Sequence, residues 1–284
     1  YFTHIMKVLP FKIPKTKNLG LIYQQDEGTL FYDKFHQHEE IQLCYVVKGE
    51  GTLIVGDTVN EYQSNDILVI AGNQPHVFKS DASRIKESFM VSLFFTQKSF
   101  GETFFELDDF KQIATFFTVA KNSFRVKSHQ KKLQKLFLKL PESRDLYKFI
   151  IFLKMIDIIL KSETESLSSF VYEKKYTDNE GKRMRDIMDY TLKNYNKKIE
   201  LDDIAGVANM TSNAFCRYFK QRTNKTFFTF LNELRIETAC KLLQNKDYSI
   251  IEVSEKSGFK NISNFNRKFK ELKGQTPSSY RLSF

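Results

Sequence analysis

Thr211-Ser-Asn-Ala-Phe215-Cys-Arg217-Tyr-Phe219-Lys220 and Asn261-Ile-Ser-Asn-Phe265-Asn-Arg267-Lys-Phe269-Lys270 are one pattern written twice, 50 residues apart, with Phe, Arg, Phe and Lys identical. Beyond them Asn224 matches Gly274, Thr226 repeats as Thr276, and Phe230 becomes Tyr280. Upstream the offset falls to 49, with Leu201, Ile204 and Ala205 matching Ile250, Val253 and Ser254, so the second copy holds one extra residue in a turn. Self-similarity whose indel is confined to a turn marks a duplicated structural unit.

Each copy reads as a helix-turn-helix. In the first, Leu201, Ile204, Ala205 and Ala208 recur at helical spacing, Asn209 can take the left-handed cap, and Thr211 can cap the next helix. In the second, Gly258 takes the left-handed position and Asn261 the N-cap. Phe215 with Phe219, and Phe265 with Phe269, are i,i+4 pairs that anchor each second helix on its core face. The opposite face is left for DNA, because a helix-turn-helix pushes the N-terminal part of its second helix into the major groove. The groove-facing candidates are Ser212, Asn213, Cys216 and Arg217, then Ser263, Asn264, Asn266 and Arg267. Between the copies Thr226 can cap a helix over 227–244, about 27 Å long at 1.5 Å per residue. Its apolar residues, Phe227, Phe230, Leu231 and Leu234 early, then Ile236, Ala239, Cys240, Leu242 and Leu243, occupy more than one face. Such a helix can hold one unit at each end, so that one chain reads two adjacent major-groove segments about 34 Å apart.

Residues 201–281 resemble the DNA-binding domain of the AraC/XylS family of bacterial transcription regulators. The resemblance is carried by the duplicated strings, by Leu231-Asn-Glu-Leu-Arg235-Ile236-Glu237-Thr-Ala239-Cys-Lys-Leu242-Leu243, by Gly258-Phe259, and by Gly274-Gln-Thr276-Pro277-Ser-Ser-Tyr280-Arg281. Ser254 stands where that family usually has Ala, and Asn224 where Gly is usual; Ser is small and Asn tolerates positive φ. The resemblance implies a regulator of promoter DNA, more often an activator than a repressor, with RNA polymerase as a partner.

Charge points the same way. Residues 181–284 carry 20 Lys+Arg against 11 Asp+Glu, while residues 1–180 carry 24 against 23, so nearly all of the chain's net charge of +10 lies in the last third. A basic surface there suits phosphate neutralisation. Three cysteines, Cys44, Cys216 and Cys240, lack the spacing of a zinc site or a disulfide framework, which fits a reducing cytoplasm. The most apolar run, 149–160, is too short for a membrane span and contains Lys154 and Asp157. Met6 is read as the natural start, with residues 1–5 an appended remnant.

From 19 to 95 the texture is of short strands and tight turns. Strands are expected at 19–25, 41–48, 52–55, 66–70 and 85–95, punctuated by Gly28, Gly49, Gly51, Gly56-Asp57, Asn65-Asp66 and Gly72-Asn73, as in a sandwich or barrel. His36-Gln-His38-Glu-Glu-Ile-Gln42, followed by Gly49, and Asn73-Gln-Pro75-His76 resemble the two cupin motifs. In metal-binding cupins three His and one Glu converge on an ion; here His36, His38 and His76 match, but the Glu position is Gln42, a weaker and uncharged ligand. The expectation is therefore a sensor in which His36, His38, Gln42 and His76 contact a small-molecule effector, with no cofactor, no firmly held metal and no catalytic residue. The alternative is a metal-dependent cupin enzyme, a dioxygenase or isomerase, fused to a DNA-binding domain.

Helices are expected at 107–117, 126–140 and 142–161, the last apolar on most sides, which suits dimerisation through this region. Ser162 to Ser169 is polar and helix-poor, and residues 176–181 end in turn formers. The expected organisation is α+β and multidomain: a cupin-like barrel over 6–100, a helical dimerisation segment over 101–161, a linker over 162–180, and an all-α double helix-turn-helix over 181–284. The first helix of the last domain is expected at 182–195. The implied whole is an effector-responsive homodimer in the cytoplasm, on double-stranded promoter DNA, with no membrane partner.

Overall fold

The computed structural model describes residues 10–14, 20–81, 84–171 and 176–284, and the chain divides into two compact units, Tyr1–Asp178 and Asn179–Phe284. The proposed start at Met6 lies outside the described residues. No helix among them is long and apolar enough to cross a membrane.

The first unit is built on β1 (Ile22–Gly28), β2 (Ile41–Lys48), β3 (Gly51–Val55), β4 (Thr58–Tyr62), β5 (Ile67–Ile70), β6 (His76–Ser80), β7 (Ser88–Phe95), β8 (Phe124–Val126) and β9 (Thr164–Ser166). They form a six-stranded sheet, β1-β7-β2-β5-β8-β9, and a three-stranded sheet, β4-β3-β6, in which every pairing is antiparallel. The middle of β2 is apolar without a break because both of its faces are covered. Side chains alternate across a strand. Cys44 and Val46 therefore join Leu53, Val55, Leu68, Ile70 and Phe78 in one core, while Leu43 and Tyr45 join the core under the helices. Those helices are α1 (Lys111–Val119), α2 (Gln130–Lys139) and α3 (Asp145–Leu160).

The middle of the chain departs from the expected helices at their starts. Residues 104–110 form two 3-10 turns separated by Leu107, whose extended backbone (φ −61°, ψ 142°) breaks the run, and α1 begins only at Lys111. Residues 124–126 are the strand β8, with Phe124 and Val126 buried, and His129 at φ 56° turns the chain into α2. The third helix starts at Asp145 rather than 142. The largest correction concerns the expected linker at 162–180. Thr164–Ser166 is paired with β8, and the Leu167 side chain is buried in the core with Leu53 and Leu68. The Thr58 hydroxyl and the Asn60 amide donate to the Leu167 carbonyl, and Ser169 donates through its N–H and hydroxyl to the carboxylate of buried Asp57. Polar composition made this stretch look like a linker, yet its polar atoms are consumed by an edge strand.

The second unit comprises α4 (Asp178–Asn194), α5 (Leu201–Val207), α6 (Ser212–Thr223), α7 (Phe227–Leu243), α8 (Ile250–Lys256), α9 (Ile262–Lys273) and α10 (Pro277–Arg281). Helix α4 starts four residues before the expected 182. The helix α7 buries Phe227, Phe230, Leu231 and Leu234 in its first half and Ile236, Ala239, Cys240 and Leu243 in its second. It ends at Leu243, one residue short of the expected span.

Replacing Leu167 by Ala is expected to cost about 2–5 kcal/mol of stability, as truncation of a core leucine does. Urea denaturation of the full chain measures it. An unchanged midpoint would return residues 164–169 to the linker.

Candidate nucleic-acid interface and barrel pocket

The two helix-turn-helix copies share their caps but not their turns. Asn209 lies at φ 52° and Thr211 accepts the Ala214 N–H at 3.4 Å, closing a turn over residues 208–211. The second turn spans 257–261, with the Asn261 side chain accepting the Asn264 N–H at 3.0 Å. Gly258 is at φ 94°, and a Cβ there would stand 2.5 Å from the Tyr195 carbonyl oxygen, so the position admits only glycine. The helix α6 ends on Asn224 at φ 58° and α9 on Gly274 at φ 72°, so Asn does adopt the left-handed cap.

Phe215, Phe219, Phe265 and Phe269 are fully buried. On the other side of α6, Asn213, Cys216 and Arg217 are exposed, and on α9 so are Ser263, Asn264, Asn266 and Arg267. Ser212 is half-buried and donates to the Asp202 carboxylate of α5. The two matched arginines differ in setting. Arg267 donates to the Asn264 side-chain oxygen at 2.9 Å and lies 3.5 Å from Glu271, whereas no partner is recorded for Arg217 among the described residues.

Three stabilising residues of this surface escaped the sequence reading. Glu233 and Glu237, one turn apart on α7, hold Lys225 just beyond α6 and Lys273 at the end of α9, at 2.8 and 2.7 Å. Each reading helix is thus tied by its C-terminal end to α7. Arg235 donates to the carbonyls of Tyr195 and Lys197, both at 2.8 Å, and its guanidinium lies 5.8 Å from the Phe259 ring. Burial pulls its pKa below the ordinary arginine value. The partners are carbonyls about forty positions away, and carbonyls leave no trace in composition.

In the barrel, His36 and His76 are joined by reciprocal backbone hydrogen bonds of 3.0 and 2.8 Å, and Gln42 lies near the start of β2. All four candidate polar residues are nearly or fully buried, His36 at 9%, Gln42 at 6%, His38 at 2% and His76 at 1% exposure. Each ring turns its Nδ1 to a backbone carbonyl: His36 to Lys34 at 2.7 Å, His38 to Glu40 at 2.8 Å, His76 to Gln74 at 2.8 Å. A carbonyl only accepts, so Nδ1 carries a proton in each ring, and His38 Nε2 stands 3.4 Å from the Gln42 side-chain oxygen. The three histidines each offer one ring nitrogen within 4.8 Å of the others. They line a cavity of about 280 Å³ with Gln24, Asp26, Tyr32, Gln42 and the apolar Ile13, Phe31, Phe78, Met90 and Phe94.

For a resident divalent ion the four candidate positions are unequal. The three histidine nitrogens stand close enough to one another to act as ligands together. The fourth position, Gln42, brings no charge, and its amide nitrogen is engaged with Ser92 at 3.0 Å and the Met90 sulfur at 3.7 Å.

Residues 204–283 match the family model of a helix-turn-helix domain, and residues 26–91 that of a cupin domain. An uncharacterized HTH-type transcriptional regulator of Bacillus subtilis (strain 168), YdeC, is 25% identical over 257 residues, 88% of this chain and 86% of its own length. The MmsAB operon regulatory protein of Pseudomonas aeruginosa is 30% identical over 92 residues, 32% of this chain and 30% of its own. The HTH-type transcriptional activator AarP of Providencia stuartii is 29% identical over 112 residues, 39% of this chain and 83% of its own.

Gly258→Ala is expected to cost well over 1 kcal/mol, because positive φ and a backbone clash act together. Gly274→Ala, with nothing within 4 Å of the added methyl, meets only the first penalty. Equal losses in urea denaturation would show that the approach to Tyr195 is immaterial.

Proposed function

Because the chain is a DNA-binding transcription regulator with an AraC-type helix-turn-helix domain and an N-terminal cupin domain, we propose that α6 and α9 read two adjacent major-groove segments under control of an effector in the barrel. One observation carries the reading: two helix-turn-helix units of the same design present exposed arginines, Arg217 and Arg267, at matching positions before and after one continuous helix. Helix α7 has 17 residues, about 26 Å, comparable with the roughly 34 Å of a DNA turn. Asn213, Cys216 and Arg217 are the reading residues of the first segment, and Ser263, Asn264, Asn266 and Arg267 those of the second. Ser212, bonded to Asp202, sets the start of α6.

The effector pocket is the cavity lined by His36, His38, Gln42 and His76, acting by binding alone and not by catalysis. Dimerisation falls to the helical segment 101–161. There Leu146 and Tyr147 of α3 are largely exposed, and Leu136, Leu153 and Ile158 border an open groove between α2 and α3. The barrel domain over 6–100 and the DNA-binding domain over 181–284 are retained, with the connection between them shortened to the residues after Ser169. In the cytoplasm the dimer acts as an activator at promoters, together with RNA polymerase.

The test is binding of the full chain to duplexes selected from random sequence. Affinity should fall steeply with salt, with a log–log slope of about −0.9 per neutralised phosphate. Arg217→Ala should lose about 1–3 kcal/mol and relax preference at one base pair, in the half of the site that Arg267→Ala leaves unchanged. An equal loss on all sequences would make Arg217 a phosphate contact, and no loss would remove α6 from the groove.

A further inference from the structure

We propose that the outer face of α2 binds the phosphate backbone of duplex DNA beside the site read by α6 and α9, so that the first unit takes part in DNA binding. The inference goes beyond the helix-turn-helix reading and is independent of the barrel pocket.

The first argument is the make-up of α2. Gln130–Lys139 carries four lysines, Lys131, Lys132, Lys135 and Lys139, and no acidic residue. The helix is fixed from within by Leu133 and Phe137, both fully buried. About 3.6 residues per turn place Lys131, Lys135 and Lys139 one turn apart on the side away from those two, with Lys132 beside them. All four are exposed. Lys154 of α3, also exposed, extends the patch, since it lines the same open groove as Lys132 and Lys135.

The second argument is that nothing nearby neutralises these charges. Elsewhere in the unit lysines are matched by carboxylates: Lys79 with Asp33 at 2.8 Å, Lys98 with Glu102 at 2.6 Å, Lys111 with Asp108 at 2.9 Å and Lys161 with Asp157 at 2.7 Å. None of the five lysines of the patch has such a partner among the described residues. Setting those of α2 aside reduces the 24 Lys+Arg of residues 1–180 to 20, against 23 Asp+Glu. The positive charge is therefore concentrated on one helix of a unit that is otherwise slightly acidic.

The third argument decides which polyanion it meets. A basic helix that lies on a membrane keeps an apolar face for the lipid, whereas the apolar face of α2 is buried in the core. Packed against the same face of a second copy, the row would meet like charge. Duplex DNA needs only cations in a row. From Lys131 to Lys139 the row spans about 12 Å, over which one strand presents about three or four phosphates. DNA is also close at hand, because only eight residues lie between Ser169, bonded to Asp57, and Asp178 at the start of α4. So short a tether holds a duplex bound by the second unit at an effective concentration on the order of millimolar for the first. That exceeds the roughly micromolar to 0.1 mM dissociation constants of sequence-independent DNA contacts.

The experiment measures affinity of the full chain by fluorescence anisotropy over a salt series, for one selected site presented in two duplexes. One is bare, and the other carries flanks of about 20 base pairs, two helical turns, of random sequence on each side. On the flanked duplex the triple variant Lys131→Gln, Lys135→Gln, Lys139→Gln should bind at least about tenfold more weakly at low salt, with a log–log slope about 2–3 less negative than the wild type. On the bare duplex the two proteins should agree. Gln is a good helix former, so α2 is retained. A second triple variant, Lys48→Gln, Lys98→Gln, Lys111→Gln, removes the same charge from exposed, paired lysines of the unit and should keep the wild-type slope on both duplexes. An unchanged slope in the first variant would overturn the proposal. An equal loss in the second variant would do so too, by making the effect one of net charge, as would an equal loss on the bare duplex. A change in the first variant's oligomeric state by sedimentation would overturn it by placing the row in a subunit interface. Binding of the wild type to phosphatidylglycerol vesicles, lost in the first variant while the flanks have no effect, would overturn it in favour of a lipid surface.

Discussion

Helix α7 has to be buried on two sides at once, and the second unit is arranged around that requirement. Its apolar residues change face between Leu234 and Ile236, so no single neighbour can cover them. The first half is covered by Phe215 and Phe219 of α6, with ring centroids 5.5 Å from Phe227 and 5.8 Å from Phe230 respectively. The second half is covered by Phe259, Phe265 and Phe269 with Val253. Because dispersion and burial are non-directional, they place the two helix pairs but do not aim them. The aim comes from polar ties: Glu233 and Glu237 to the C-terminal ends of the reading helices, and Arg235 to the chain leaving α4. Each lysine–glutamate pair is largely shielded from solvent, which makes it worth more than an exposed pair.

A comparable division of labour holds in the barrel. The alternation of β2 assigns Leu43 and Tyr45 to the helices and Cys44 and Val46 to the interior, and it brings Gln42 to the same interior side. The histidines are held differently. His36 and His76 meet through an isolated bridge, and all three rings are oriented by carbonyls within two residues of themselves. The local chain thereby fixes the direction in which each ring points into the cavity.

Much of the DNA-reading surface was legible before any coordinates. The caps Thr211, Thr226 and Asn261, the left-handed residues Asn209 and Gly258, and the extra turn residue of the second copy are all local features. They follow from φ preference and from side-chain oxygens reaching the N–H three residues on. What failed was the middle of the chain. Residues 124–126 and 164–166 carry no strand pattern of their own, and each becomes a strand only because it meets the other at the edge of β5. Their pairing spans about forty residues, beyond the reach of periodicity.

The sequence by itself determined the duplication, the two reading helices, which of their faces is apolar, and the three histidines with Gln42 in the place of a carboxylate. It did so because capping, amphipathic spacing and turn chemistry act over four or five residues. Only the tertiary structure decided that residues 164–169 complete the barrel, that Ser212 is taken by Asp202, that Arg267 is braced while Arg217 stands in solvent, and that the three histidines meet in one cavity. Those outcomes depend on which atoms remote segments bring within about 3 Å of each other, and that is set by how the sheets and helices close.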